Sequence, residues 1–171
     1  VEFMFRYPRK INHWLENKEV VGKKTFLKYD PASGRALAQI ARGGKNDARK
    51  AGIIAEKAFL EWSAVPVVRR TEILRQAAQI MESRADELAV VLSLEAGKSK
   101  KDSLAEVKAA IECGYFFAGE GRRFIGEVLT SANPKRHVEL MRQNIGVGAL
   151  ITPFNNPLAG IAWKIFPALL C

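Results

Sequence analysis

The sequence predicts an α/β protein in which helices pack around short strands and one β-hairpin protrudes. Apolar residues recur at helical spacing from about residue 46 to residue 118, which is typical of amphipathic helices. Around Val138 and Leu140, apolar and polar residues alternate as they do in a half-buried strand. The run Ile145–Ile151 is apolar on both faces, which is typical of a buried strand in a parallel sheet.

Composition and charge exclude several classes of protein. The 171 residues include 27 Lys+Arg and 18 Asp+Glu, a net charge of +9, and 48% of them are hydrophobic. This apolar content excludes a disordered chain, and two cysteines are too few for a disulfide-built mini-protein. The basic residues are scattered among acidic neighbours and no basic run is interleaved with aromatic residues, so we expect no nucleic-acid partner.

The first 120 residues read as strands followed by four helices. The turn Asp30–Gly34, with Pro31 at its second position and a closing glycine, is predicted to join two strands. Ile73, Ala77, Ile80 and Met81 are assigned to the inner face of the second helix. The first helix is predicted to begin near Asn46 and the second to span Val67–Ser83. The third is predicted to run from Ala85 to Gly97, and the fourth to begin at the capping-box pattern Ser103-Leu104-Ala105-Glu106.

The last part of the chain reads as a hairpin over residues 127–142, a strand, a loop and a helix over Leu158–Leu169. The segment from Gln143 to Trp163 contains no charged residue and is long enough to span a bilayer. Two prolines and two asparagines in Thr152–Pro157 would leave polar groups unsatisfied in lipid, so we expect no membrane segment. The N-terminus has no apolar stretch typical of a signal peptide, and a cytoplasmic location is therefore expected.

Three weaker motifs favour structural interpretations. Gly97-Lys98-Ser99 resembles the end of a phosphate-binding loop, but the glycine needed five residues earlier is Leu92, so the end of a helix is preferred. Cys113 lies in the middle of a predicted helix, where a small core residue is commoner than a nucleophile. His13 and His137 have no further ligand at metal spacing, and no metal site is expected.

The loop after Ile145–Ile151 is the candidate site, because ligands of open α/β sheets bind where strands turn into helices. Asn155 and Asn156 stand in this loop. An asparagine amide can donate a hydrogen bond to a developing oxyanion without carrying a charge. The alternative is that both side chains only satisfy turn and N-cap groups, as asparagine often does. The residues alone leave these two interpretations level.

The segment GVGALITPFNNPLAGIAWKIFPALLC resembles the aldehyde dehydrogenase superfamily, whose members carry a P-[WF]-N-x-P loop followed by a W-K-x-x-P-A-L helix. Further matches keep the family's order over nearly the whole chain, from about residue 11 to residue 171. They are Asp30–Gly34 for the N-P-A-T-G turn, Ala58-Phe59 with Trp62 for A-F-x-x-W, Arg70 for the start of R-x-x-I-L, and Glu95–Lys98 for E-x-G-K.

The resemblance implies NAD- or NADP-dependent oxidation of an aldehyde to a carboxylic acid through a cysteine thiohemiacetal. It makes Asn155 the catalytic residue whose side-chain amide stabilises the oxyanion. Ile151, Thr152, Pro153 and Phe154 match positions at the nicotinamide-ribose end of the cofactor site. Lys164 matches a helix lysine near the active centre, with a solvated position on the helix face as the alternative.

The resemblance also carries departures and domain assignments. Phe154 replaces a commoner tryptophan, and Asn156 stands where an aromatic residue often lines the substrate tunnel, so a polar or short aldehyde is expected. Residues 1–126 correspond to the strand and helical part of the cofactor-binding domain. The hairpin at 127–142 corresponds to an oligomerisation element of a dimer or tetramer. Residues 143–171 correspond to the first strand of a partial Rossmann-like parallel sheet, the active-site loop and the following helix.

The chain corresponds to about the first third of a family member, without the catalytic cysteine and the general-base glutamate. Neither Cys113 nor Cys171 matches the nucleophile, so this polypeptide alone is expected to be inactive. Two alternatives stay open: a non-catalytic interaction module, and part of an aldehyde dehydrogenase that forms acyl-CoA.

Overall fold

A computed structural model describes residues 7–171 and contains five α-helices and seven short strands. Residues 1–6, which include the start of the first predicted domain and part of the region where no signal peptide is expected, lie outside the described part. The elements are β1 (Lys10–Ile11), β2 (His13–Leu15), β3 (Lys18–Val20), β4 (Lys24–Tyr29), β5 (Ala36–Arg42), α1 (Lys45–Ala64), α2 (Val67–Ser83), α3 (Ala85–Ala96), α4 (Lys100–Ala118), β6 (Glu127–Leu129), β7 (Val138–Leu140) and α5 (Pro157–Leu170).

The N-terminal strands form a three-stranded sheet in the order β1-β5-β4 and a separate β2-β3 hairpin. β4 and β5 pair antiparallel across the predicted Asp30–Gly34 turn, which is confirmed. Within the turn, the Asp30 carboxylate accepts hydrogen bonds from the Ser33 hydroxyl at 2.5 Å and from the Ala32 N–H at 2.9 Å. The Ser33 bond, followed by the Ala32 bond, lowers the pKa of Asp30 because both stabilise the charged carboxylate.

The core of the protein lies among α2, α4 and α5. Its buried side chains include Leu74 and Ala78 of α2, Ala110 of α4 and Phe166 of α5. Gly114 of α4 makes the close approach possible, because a Cβ added there would lie 2.8 Å from the Phe166 ring. A second cluster joins α3 to α4 through Ala89, Leu92, Val107 and Ile111.

The inner face predicted for α2 is confirmed in part, since Ala77 and Met81 are half-buried and pack against the core. Ile73 and Ile80 are 48% and 59% exposed, whereas Leu74 and Ala78 are buried. Leu74 and Ala78 are four residues apart and therefore lie on one side of the helix. Burial of the small Ala78 follows from its neighbour Gly114, since the two backbones meet there.

The helix ends follow from local capping chemistry. Gly97 adopts a left-handed conformation with φ of 68° at the end of α3, which confirms helix termination at Gly97-Lys98-Ser99. α4 begins earlier than predicted, because the Ser99 hydroxyl accepts the Asp102 N–H at 3.1 Å and caps the helix. Ser103 is buried inside α4 and its hydroxyl lies 3.0 Å from that of Ser93, so the predicted capping box there is wrong.

The predicted hairpin is confirmed: β6 and β7 pair antiparallel within residues 127–142. The strand predicted at Ile145–Ile151 is wrong, because the structure assigns no strand to this run. Ile145 and Ile151 are 101% and 84% exposed. A parallel strand is stabilised by its neighbours, and no segment among residues 7–171 pairs with this one. In the described part of the chain, parallel pairing is found only between β1 and β5, so the partial Rossmann-like sheet is not formed around this run.

The α/β class itself is confirmed, since helices and small sheets make up residues 7–171. Among these residues, no helix combines the length and the apolar character that crossing a bilayer requires.

Candidate functional site

The candidate site lies where residues 151–156 enter α5. All six residues are exposed, and none of them belongs to a helix or strand. Phe154 is 92% exposed and Ile151 is 84% exposed. The structure therefore brings the six predicted loop residues together on one open surface at the N-terminus of α5.

The N-terminus of α5 is capped by a side chain from another helix. Pro157, the first helical residue, has no N–H, so the first donors needing a partner belong to Leu158 and Ala159. Both donate to the same oxygen, Oε1 of Glu106 in α4, at 2.8 and 3.1 Å. Gly160 donates to the Asn156 carbonyl at 2.8 Å, as a helical residue does. Every N–H of the first turn is thus satisfied.

Lys98 joins this carboxylate to the loop. Its Nζ donates to Oε2 of Glu106 and to Oδ1 of Asn156, both at 2.6 Å. The Glu106 side chain is only 5% exposed and that of Lys98 only 23%. A carboxylate removed from water in this way is stable only when its oxygens are paired, and here both oxygens have partners.

The two loop asparagines have different surroundings. Asn156 occupies the N-cap position of α5, but its side chain makes no capping hydrogen bond and faces Lys98 instead. The Asn155 side chain is exposed and takes part in none of the hydrogen bonds formed within residues 7–171. The interpretation of Asn156 as a simple helix cap is therefore not supported, and the Asn155 amide is left without an assigned structural role.

Lys164 lies on the exposed side of α5, opposite the side that buries Ala162 and Phe166. Six residues separate it from the start of the helix at Pro157, a distance of nearly two turns. Lys164 thus lies on the helix that follows the loop, and among residues 7–171 it forms no side-chain hydrogen bond with the loop residues.

The sequence does not predict that Lys98 and Glu106 belong to the site. It places Lys98 at the end of a helix and Glu106 in a capping box. A signal was present for Glu106, because it shares the helical spacing of Ser103, Val107 and Ala110, all of which are buried. A charged residue on the buried face of a helix needs a partner, and that requirement points to a network.

The two cysteines differ in accessibility. Cys113 packs against the core, and burial raises the pKa of its thiol above its ordinary value. Cys171 is exposed. Because the thiolate is the reactive form, Cys171 should react with iodoacetamide at neutral pH well before Cys113.

Peptide mass spectrometry after timed labelling of the 171-residue chain measures this order. Labelling in denaturant is the control, since both thiols are then exposed and the difference should disappear. Faster labelling of Cys113 in the folded chain would contradict its assignment as a core residue.

The start of α5 does not offer a phosphate site. Helix N-termini bind phosphates through free N–H groups, but those of Leu158 and Ala159 already donate to Glu106. Ile151–Phe154 are exposed and uncharged, so this loop can offer side chains and backbone groups to an uncharged ring.

A model described as "Aldehyde dehydrogenase family" matches residues 14–171 of this chain. The 2,5-dioxopentanoate dehydrogenase of Saccharolobus solfataricus is 36% identical over 157 residues, which are 91% of this chain and 33% of the relative. Mitochondrial succinate-semialdehyde dehydrogenase of Rattus norvegicus is 38% identical over 146 residues, which are 85% of this chain and 28% of the relative. The chain thus spans about a third of the length of these curated relatives.

Solved structures give the same result for the fold. An NADP-dependent enzyme of E. coli superposes with a TM-score of 0.91 at 29% identity, covering 94% of this chain and 34% of that one. A double mutant of betaine aldehyde dehydrogenase from Staphylococcus aureus, in complex with NAD+, gives a TM-score of 0.89 at 28% identity. It covers 93% of this chain and 32% of that one.

Proposed function

Because this chain belongs to the aldehyde dehydrogenase family, we propose that it works as part of an NAD- or NADP-dependent enzyme that oxidises an aldehyde to a carboxylic acid. The match over residues 14–171, which includes the exposed loop at the start of α5, is the observation that carries this proposal. In the overall reaction, aldehyde, water and NAD(P)+ give carboxylic acid, NAD(P)H and a proton.

The chemistry needs groups that this chain does not supply. In the proposed mechanism a cysteine thiolate attacks the aldehyde carbon, and the carbonyl oxygen becomes an oxyanion in a thiohemiacetal. When bound, the nicotinamide supplies the acceptor for the hydride that leaves this carbon. A glutamate then activates the water that hydrolyses the thioester. Since Cys113 is half-buried with a raised pKa, we do not assign it as this nucleophile, and the chain alone is proposed to be inactive.

Within this mechanism the chain supplies the oxyanion donor and one wall of the cofactor site. The Asn155 amide donates an N–H to the oxyanion, an interaction that strengthens as charge develops on the oxygen. Ile151, Thr152, Pro153 and Phe154 would hold the nicotinamide-ribose end of the cofactor. Lys164, on the helix that follows the loop, is proposed to lie near the active centre.

We propose a short aldehyde that also carries a carboxylate as the substrate class. The relatives from Saccharolobus solfataricus and Rattus norvegicus are named for 2,5-dioxopentanoate and succinate semialdehyde, which both have this chemistry. Asn156 agrees with a polar substrate, since its exposed amide can donate hydrogen bonds to a carboxylate.

The hairpin β6–β7 is proposed to join subunits of a homo-oligomer. Its strand residues are all exposed, and Val128 and Leu129 are 73% and 47% exposed. Exposed apolar residues on a two-stranded ribbon with open edges favour association with another chain.

The experiment that tests the function is an assay of NAD(P)H formation at 340 nm by the complete enzyme that contains this sequence. Succinate semialdehyde and malonate semialdehyde are compared with uncharged aldehydes of equal length, each with and without coenzyme A. Reduction of the nucleotide without coenzyme A supports hydrolysis to the acid, whereas a strict requirement for coenzyme A supports the acyl-CoA alternative. Absence of reduction under both conditions would contradict the proposed function.

A further inference from the structure

We propose that Lys98 and Glu106 are positioning residues for two side-chain amides: that of Asn155, the proposed oxyanion donor, and that of Asn156, which is proposed to face the substrate. This inference rests on the proposed function, and it assigns a role to an ion pair outside the loop. The pair acts through two neighbouring contacts: one on the first turn of α5 and one on the Asn156 side chain.

The first contact fixes the direction in which α5 begins. Glu106 belongs to α4, whose residues Val107 and Ala110 are fully buried, so its carboxylate is held on a rigid element. Oε1 accepts both the Leu158 N–H and the Ala159 N–H. A negative group at this end also interacts favourably with the helix dipole. The loop therefore enters α5 at an orientation set by α4.

The second contact fixes the Asn156 side chain. Because Lys98 can only donate, the atom that faces its Nζ at 2.6 Å must be the amide oxygen of Asn156. The amide nitrogen then points away from Lys98, so both of its N–H groups are available to a ligand. Without this contact, the exposed amide could rotate and present its oxygen instead, which would repel a carboxylate.

Both contacts act on the peptide segment that carries Asn155. Asn155 precedes Asn156 directly, and Pro157 restricts the backbone of Asn156, the residue before it. Fixing Asn156 and the amides of Leu158 and Ala159 restricts the backbone from which the Asn155 side chain projects. An oxyanion donor needs such a fixed position, since a displacement of about 1 Å can cost on the order of a hundredfold in rate.

Capping the N-terminus of α5 alone would not require a buried ion pair. A serine or aspartate at the N-cap position satisfies helix donors locally, without burial of a charged pair. Here the N-cap residue is an asparagine that leaves capping to a buried glutamate and bonds to a lysine instead. The arrangement therefore frees the Asn156 amide for a ligand.

The first test measures amide hydrogen exchange by NMR in the 171-residue chain. Glu106→Leu, which removes both acceptor oxygens, should accelerate exchange at Leu158 and Ala159 by about tenfold, the ratio expected for loss of one helix cap. Glu112→Leu, which makes the same change at an exposed glutamate of the same helix, should leave both rates unchanged. Unchanged exchange in Glu106→Leu would overturn the proposal.

The second test uses steady-state kinetics of the complete enzyme. Lys98→Met should lower kcat by roughly tenfold to a hundredfold, the range for a misplaced reacting group, with the KM for the cofactor unchanged. Lys98→Arg keeps a cationic donor and should recover most of the lost kcat. Lys101→Met, at an exposed lysine near the start of α4, is the matched control and should have no effect.

A purely structural role would give a different result: Lys98→Met would lower the melting temperature while kcat per folded enzyme stayed at the wild-type value, and that would overturn the proposal. If Lys98 and Glu106 act as one unit, the Lys98→Met/Glu106→Leu double variant should lose little more kcat than the worse single variant. An inactive wild-type enzyme would contradict the proposed function, whereas an active wild type with unaltered Lys98→Met kinetics would contradict the positioning role alone.

Discussion

Asn155→Ala in the complete enzyme should lower kcat by on the order of 10²–10³, the range found when one oxyanion donor is removed. The interaction forms as charge develops on the aldehyde oxygen, so kcat and kcat/KM should fall together. Affinity for NAD(P)+ should change little, because Ile151–Phe154 remain in place. Steady-state kinetics and fluorescence titration of the cofactor measure the two quantities.

Asn156→Ala is the neighbouring comparison for this result. It removes an amide that is bonded to Lys98 and should change the preference among aldehydes more than it lowers kcat with the best one. Melting curves of both variants check that the loop change leaves the helical core folded. Equal and mild effects of the two substitutions on kcat would mean that Asn155 is only a turn residue.

Phe166→Ala should lower the free energy of unfolding of the 171-residue chain by about 3–5 kcal/mol. The ring is 5% exposed and fills the space between α5 and Gly114 of α4, next to Ala78 of α2. None of these small neighbours can expand to fill the cavity. Because domains of this size are stable by only about 5–15 kcal/mol, the variant should be partly unfolded at moderate urea concentrations.

Urea denaturation followed by far-ultraviolet circular dichroism measures the loss. Phe116→Ala makes the same chemical change at a position that is 61% exposed, and its free energy of unfolding should fall by less than about 1 kcal/mol. Equal losses in the two variants would contradict the assignment of Phe166 to the core.

The helices could be predicted from local chemistry, whereas the long-range contacts between them could not. α2 spans Val67–Ser83 as expected, and Gly97 ends α3, because turn and capping residues act on their immediate neighbours. Ile73 and Ile80 fall outside the buried face of α2 because burial depends on where Gly114 allows another helix to approach, which no periodicity in α2 reveals. Ile145–Ile151 has the composition of a buried strand, but composition supplies no pairing partner.

The site was predictable in part for the same reason. The loop around Asn155 stood out because its prolines and asparagines interrupt an apolar run, and the resemblance gave each residue a role. Glu106 lies 52 residues before the helix that it caps at Leu158, and Lys98 lies 58 residues before Asn156. Such pairs are brought together only by the packing of α4 against α5, which a reading along the sequence does not contain.

The exposed run Ile145–Ile151 also bears on self-association of the chain in solution. It is uncharged and rich in β-branched and aliphatic residues, the composition of segments that stack into intermolecular sheets when left unpaired. Two residues oppose such stacking. Gly146 has φ of 108°, a conformation foreign to a β-strand, and Pro153 has no N–H to donate to a neighbouring chain. Gly146 within the run and Pro153 just after it therefore disfavour intermolecular strand pairing by this segment.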